Sequence, residues 1–311
     1  MDYVLLVAGF VLLIKGADFF VDGSSGVAKK FRVPSLIIGM TIVAMGTSLP
    51  ECAVSISAAL AGNTGVAVGN IVGSNIFNLM FVCGACCLFC ELPVSKQTLK
   101  GEFPFSIIVA VLLLGLGYHQ MNLGRVDGVI LLIIFAGFLV WMIRSAMNAR
   151  NNGESAEEAE YKIRPMWQCL LCIVGGTIAI AWGGNLVVDS ASNIAKFFGM
   201  SDNLIGLTIV ACGTSLPELV TSVVAARKKE IDMALGNVIG SNIFNILFVL
   251  GVAGSISPLK FYMENVIDTM VLVVMSILVL LFSWTKQKLV RWEGITMLAL
   301  YVIYVVYICM R

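Results

Sequence analysis

Charge is scarce in this chain: of 311 residues, Asp, Glu, Lys and Arg together make up 13%, and there is one histidine. With 59% hydrophobic residues and a mean hydropathy of +0.95, the composition lies far from that of a soluble domain and marks an integral membrane protein. A net charge of +1 offers no electrostatic footprint for nucleic acid. No His/Ser, Cys/His or paired-Asp constellation falls within the apolar runs, so an enzyme is not expected. Only Met1 and Asp2 precede the first apolar run, without a basic n-region, so that run is expected to stay attached rather than be cleaved.

What is present is hydrocarbon-length sequence. Breaks at polar, Gly or Pro residues leave about ten apolar spans, near 3–27, 35–60, 66–91, 103–119, 126–145, 166–197, 204–226, 234–254, 266–284 and 290–309, each close to the length that crosses roughly 30 Å of lipid. All are expected to be helices, because a helix satisfies its own backbone in lipid. Alternate loops then collect 15 basic residues on one side, in clusters such as Lys29, Lys30 and Arg32 or Arg227, Lys228 and Lys229. The other side holds Arg125, Lys196, Lys260 and Arg311. The basic side reads as cytoplasmic, which puts both termini outside a cell membrane, inner or plasma.

The expected fold class is an all-α membrane protein of about ten transmembrane helices in two five-helix repeats, residues 1–145 and 166–311, joined by a polar cytoplasmic linker at 146–165. An odd number of spans per repeat inverts the second relative to the first. The duplication is visible directly. Gly39-Met-Thr-Ile-Val-Ala-Met-Gly-Thr-Ser-Leu-Pro-Glu51 returns as Gly206-Leu-Thr-Ile-Val-Ala-Cys-Gly-Thr-Ser-Leu-Pro-Glu218, and Gly69-Asn-Ile-Val-Gly-Ser-Asn-Ile-Phe-Asn78 as Gly236-Asn-Val-Ile-Gly-Ser-Asn-Ile-Phe-Asn245. Segments 39–78 and 206–245 align without a gap at about 23 of 40 positions.

Each repeat places one carboxylate, Glu51 or Glu218, inside an apolar run, at a cost of at least ~2.5–3.5 kcal/mol near mid-bilayer. Such a group needs partners or a watery cavity, and an ion or proton site is the default reading; a protonated glutamate packed against an Asn is the alternative. Pro50 and Pro217 have no N–H for the carbonyl four residues back, so the helix should kink there and aim backbone oxygens near Gly46 and Gly213 into the core. Thr47, Ser48, Thr214 and Ser215 add hydroxyls. Ser74 with Asn78, and Ser241 with Asn245, are four apart and share a face of a Gly-x-x-x-Gly helix that can approach closely.

This donor set is all hard oxygen. It suits Ca²⁺, with about 6–8 oxygens, or Na⁺, better than a transition metal. Two ionised carboxylates carry a charge that one Ca²⁺ or two Na⁺ would neutralise, so competition for one set of oxygens suffices for exchange. Nine cysteines, including Cys83, Cys86, Cys87 and Cys90, fall within or at the ends of apolar helices and read as small packing residues. His119 reads as solvated, in a short external loop.

The paired motifs Gly46-Thr-Ser-Leu-Pro-Glu51, Gly213-Thr-Ser-Leu-Pro-Glu218, Gly73-Ser-Asn-Ile-Phe-Asn78 and Gly240-Ser-Asn-Ile-Phe-Asn245 resemble the alpha repeats of the calcium/cation antiporter superfamily, and the chain as a whole looks like a prokaryotic sodium/calcium exchanger. The resemblance implies a secondary active antiporter that exchanges Na⁺ for Ca²⁺ by alternating access and exports Ca²⁺, with no cofactor. Ca²⁺/H⁺ exchange and K⁺-dependent exchange are the nearer alternatives, a cation channel a more distant one. It further implies that Glu51 and Glu218 are shared by both ions and that Thr47 and Thr214 give backbone oxygens to Ca²⁺. Ser48, Ser74, Ser215 and Ser241, with the carbonyls of Ala44 and Ala211, would complete flanking Na⁺ positions, Asn78 and Asn245 would face the centre, and spans one and six would slide as a pair. Some exchangers of this kind carry Asp where this chain has Asn245. Lys15, Asp18, Asp22 and Asp189 are too polar for lipid-facing positions and are expected to reach or line aqueous vestibules.

Overall fold

The structure, a computed structural model, describes residues 1–151, 165–200, 209 and 211–310. Apolar runs become long helices: α1 (Asp2–Phe31), α4 (Thr64–Phe89), α5 (Lys96–Gln120), α6 (Arg125–Asn151), α7 (Met166–Phe197), α10 (Ile231–Ile256), α11 (Met263–Lys286) and α12 (Arg291–Met310). Each of these eight is long and apolar enough to cross a membrane, and α2 (Ser35–Thr47) with α3 (Leu49–Leu60), bent by 49°, makes a broken ninth. The span expected at 204–226 starts largely outside the described residues and is seen as a short turn, α8 (Ala211–Gly213), followed by α9 (Leu216–Arg227).

Burial separates core helices from the perimeter. In α4 and α10, 78% of the apolar window is buried, against 22–44% in the other long helices. The central pair is surrounded by protein and buries polar as well as apolar side chains; the perimeter helices expose side chains such as Val7, Ile133, Val174, Val274 and Val302 outward, as a lipid-facing surface requires.

Helices α1 and α7 form a long antiparallel pair. Gly9 lies against Gly183 and Val187, Gly16 against Gly176 and Ile180, and Gly23 against Cys169 and Cys172. A seven-residue spacing keeps those glycines on one face, and the backbones approach so closely that a Cβ on Gly176 would stand 2.8 Å from the Gly16 carbonyl oxygen. Two small antiparallel sheets tie the loops at opposite ends of the bundle. At one end β1 (Leu92–Pro93) pairs with β4 (Lys288–Leu289); at the other β2 (Asn122–Leu123) pairs with β3 (Leu259–Lys260).

Two boundaries differ from expectation. Helix α6 runs on to Asn151, so residues 146–151 extend a helix rather than open the linker; the rest of the linker, 152–164, lies outside the described residues. Past the lipid a helix no longer needs apolar residues, and its polar extension reads like a loop. His119 is exposed as expected but sits in the last turn of α5 rather than in a loop. All nine cysteines are free thiols; Cys83, Cys86 and Cys87 are buried, and Cys87 sits in the tight crossing of α4 with α12, where a Cβ on Gly294 would meet its own at 2.5 Å.

Candidate functional site

The break between α2 and α3 has its cause in Pro50, in the first turn of α3: without an N–H it cannot hold the Gly46 carbonyl. Ser48 leaves helical geometry at φ −84°, ψ 10°, and Ser215, ahead of Pro217, does the same at φ −95°, ψ 6°. Both glutamates therefore sit in the first turn of a helix that restarts inside the protein, where amide N–H groups favour an anion. Glu51 and Glu218 are fully buried, as are Ser48 and Ser215.

The two breaks face each other and exchange bonds. Ser215 donates to Glu51 Oε1 at 2.8 Å, and Ser48 donates to Glu218 Oε1 at 2.7 Å. Each glutamate is thus bonded to the serine at the start of the other glutamate's helix. Among the described residues, the other oxygens of both glutamates, Ser74 Oγ, Ser241 Oγ, both polar atoms of the Asn78 amide and the Asn245 amide oxygen have no hydrogen-bond partner. These residues are no more than 2% exposed. Each buried, unmatched polar atom costs about 1–3 kcal/mol, so a cluster of orphaned hard oxygens beside two carboxylates fits a dehydrated hard cation as substrate.

Helix α4 widens into a π-turn at Phe77–Val82 and α10 at Asn245–Leu250, with a third π-turn, Gly39–Val43, ahead of the α2 break. Such turns insert one residue into the helix and re-aim the side chains beyond it, and they recur at functional sites. Here they carry Asn78 and Asn245. Close approach of α10 to α2 depends on Gly236 and Gly240, the latter so tight that a Cβ would fall 2.5 Å from Met40 Cα.

Of the remaining expected residues, Thr47 is buried and its hydroxyl lies 3.1 Å from both Val43 O and Asn237 Oδ1. Ala44 is buried, and its carbonyl already accepts the Ser48 N–H at 3.1 Å. The Ala211 side chain lies outside the described residues. Thr214 is only half-buried: with Pro50, Asn185, Asp189 and Pro217 it lines a cavity of about 410 Å³ on the β2–β3 side of the glutamates. Asp189 thus lines a cavity, whereas Asp18 and Asp22 are held by Lys228 at 2.9 and 2.6 Å toward the β1–β4 end.

Sequence reasoning missed a set of asparagines that ties the repeats together. Asn75 donates to the Asn242 carbonyl at 3.1 Å and Asn242 to the Asn75 carbonyl at 3.2 Å, while the Asn245 amide donates to Asn75 Oδ1 at 3.1 Å. Asn70 reaches Ser55 and Asn237 reaches Ser222, at 3.0 and 2.9 Å. The signal was available, since all of these residues match across the repeat alignment.

Broken helices, buried carboxylates and unmatched oxygens inside a lipid-facing bundle define a multi-pass membrane protein that handles hard cations. The family model described as sodium/calcium exchanger protein matches residues 1–144 and 169–310, and the chain belongs to that family. A candidate antiporter, CaxA, of Alkalimonas amylolytica is 44% identical over 261 residues, covering 82% of this chain and 81% of its own length. The sodium/calcium exchanger MaX1 of Methanosarcina acetivorans is 32% identical, with 98% of each chain covered. A solved structure of the sodium-calcium exchanger NCX_Mj soaked with Na⁺ and Ca²⁺ superposes with a TM-score of 0.85 at 36% identity, over 98% of this chain and 97% of that one. The protein is accordingly a cation/Ca²⁺ antiporter, a transporter rather than an enzyme.

Proposed function

We propose that this chain exchanges Na⁺ for Ca²⁺ by alternating access and exports Ca²⁺ across the cell membrane. The observation that carries the reading is the reciprocal Ser48–Glu218 and Ser215–Glu51 pairing at the facing breaks, surrounded by unmatched buried oxygens. Glu51 and Glu218 supply the charge that Ca²⁺ and Na⁺ compete for. Thr47, Thr214, Ser48, Ser215, Ser74, Ser241, Asn78, Asn245 and the carbonyls of Ala44 and Ala211 supply neutral oxygens. The reading includes ten spans in two inverted repeats, 1–145 and 166–311, a cytoplasmic linker at 146–165, the basic β1–β4 end in the cytoplasm and both termini outside. The antiparallel run of α1 and α7, equivalent helices in the alignment, supports the inversion.

The test is ⁴⁵Ca²⁺ uptake by purified protein in liposomes loaded with Na⁺, with pH and potential clamped. Uptake that requires an outward Na⁺ gradient is expected; uptake driven by a pH gradient and indifferent to Na⁺ would assign proton coupling instead. Glu51→Gln and Glu218→Gln should each cut exchange more than ~100-fold, since an uncompensated buried charge costs about 3–5 kcal/mol. Near-normal flux in either variant would overturn the site.

A further inference from the structure

The two repeats are not in the same state, and the difference sits in charged residues that the ion site does not use. Toward the β1–β4 end, α1 is clamped to the chain around the turn after α9. Lys228 bridges Asp18 at 2.9 Å and Asp22 at 2.6 Å, and donates to the Asp18 carbonyl at 3.0 Å. Two residues on, Glu230 accepts from Ser25 and from Ser35 and lies 3.8 Å from Lys29. These contacts join α1, the start of α2 and the α9–α10 turn into one closed seam.

At the other end the repeat-equivalent helices stand apart. There α7 and α3 flank the cavity of about 410 Å³ that reaches Thr214 and Pro217, with Asn185 and Asp189 in its wall. The alignment that matches Glu51 to Glu218 matches Asp18 to Asn185, Asp22 to Asp189, Lys228 to Ala61 and Glu230 to Asn63. The lysine and the glutamate of the clamp therefore have no charged equivalent at these positions. In an opposite state built by the repeat symmetry, Asp189 would meet Ala61 where Asp22 meets Lys228, and Asn63 would stand in the place of Glu230. Ser192, equivalent to Ser25, makes no hydrogen bond among the described residues.

We propose that Lys228, with Asp18, Asp22 and Glu230, is a one-sided latch that sets which face of the membrane the ion site opens to, holding the cytoplasmic side shut and biasing the transporter outward. The residues are positioning residues: none touches the ions. The sidedness rests on the proposed orientation of the basic end. A ligand gains affinity at a face only in proportion to the population open there, so loss of the latch raises apparent Ca²⁺ affinity at the cytoplasmic face and lowers it at the extracellular face.

The experiment measures half-saturating Ca²⁺ at each face of the full-length protein in liposomes, with hydrogen–deuterium exchange of the same variants. Lys228→Met should lower the cytoplasmic-to-extracellular ratio of half-saturating concentrations roughly two- to tenfold, the range open to a partly exposed ion pair, while Lys228→Arg keeps it near wild type. Exchange should quicken in the second half of α1 and slow along α3 and α7 beside the cavity. Ala61→Lys, which leaves the native latch untouched, should lower the ratio by building the missing clamp against Asp189, and Asp189→Asn should cancel that effect alone. An unchanged ratio and exchange pattern in Lys228→Met overturns the latch, and so does an Ala61→Lys effect that survives Asp189→Asn. Absence of Na⁺-driven uptake in the parent protein would count against the proposed coupling, while the exchange pattern would still report the latch.

Discussion

Asn75 and Asn242 each spend an amide on the other's backbone carbonyl, so one side chain from each repeat binds the backbone of the other just ahead of its π-turn. Removing either takes away a buried hydrogen bond across the repeats, worth about 0.5–1.5 kcal/mol. Asn75→Ala should be the worse of the two because Asn75 also holds the Asn245 amide. Thermal unfolding in detergent should show both losses, with Ca²⁺ protection reduced more in Asn75→Ala. Asn245→Asp adds a carboxylate where the chain now offers a neutral oxygen, and we expect it to change the charge moved per Ca²⁺, read from the reversal potential in proteoliposomes. Lys228 lies outside the spans; burial pulls its pKa down, but the bonds to Asp22 and Asp18 outweigh this and the net shift is upward. A raised lysine pKa means that its contribution is complete below the ordinary lysine value and fades only as pH climbs through the raised one. Alkaline titration should therefore leave the bias of wild type flat up to about pH 10, while Lys228→Met shows no transition at all.

At the scale of elements, the site is built by helices that come too close for side chains. Gly240→Ala would drive a Cβ to 2.6 Å from the Met40 carbonyl oxygen, a contact only a backbone shift can relieve. We expect a loss of about 1–3 kcal/mol in stability and of Ca²⁺ binding together, since α10 carries Ser241 and Asn245, measured by unfolding and ⁴⁵Ca²⁺ equilibrium binding. Much of this layer was legible from sequence, because Pro50 cannot continue a hydrogen-bonded ladder and the repeat names its own important residues twice. The π-turns were not. Nothing in Phe77-Asn-Leu-Met-Phe-Val82 marks an inserted residue, and the face presented by the residues beyond it depends on that insertion. Nor was the Lys228 clamp legible: Asp18 and Lys228 are separated by most of the chain, and only the packing of α1 beside α9 brings them together.

For the whole molecule, the expected topology puts both termini on the side away from the basic loops. A tag after Arg311 should be reached by an impermeant label on intact cells; labelling only after lysis would invert the assignment of faces and with it the direction of the latch. The two small sheets carry a different consequence. Each joins a loop of one repeat to a loop of the other, Leu92 to Leu289 at one end and Asn122 to Lys260 at the other, and so stitches the halves together above and below the ion site. Under the proposed alternating access, halves cross-laced in this way should not rock as two separate lobes, and the α1–α7 pair is the part we expect to travel. They also have no need of a covalent junction to find one another: a chain cut within 152–164 should still migrate as one particle and still carry Ca²⁺.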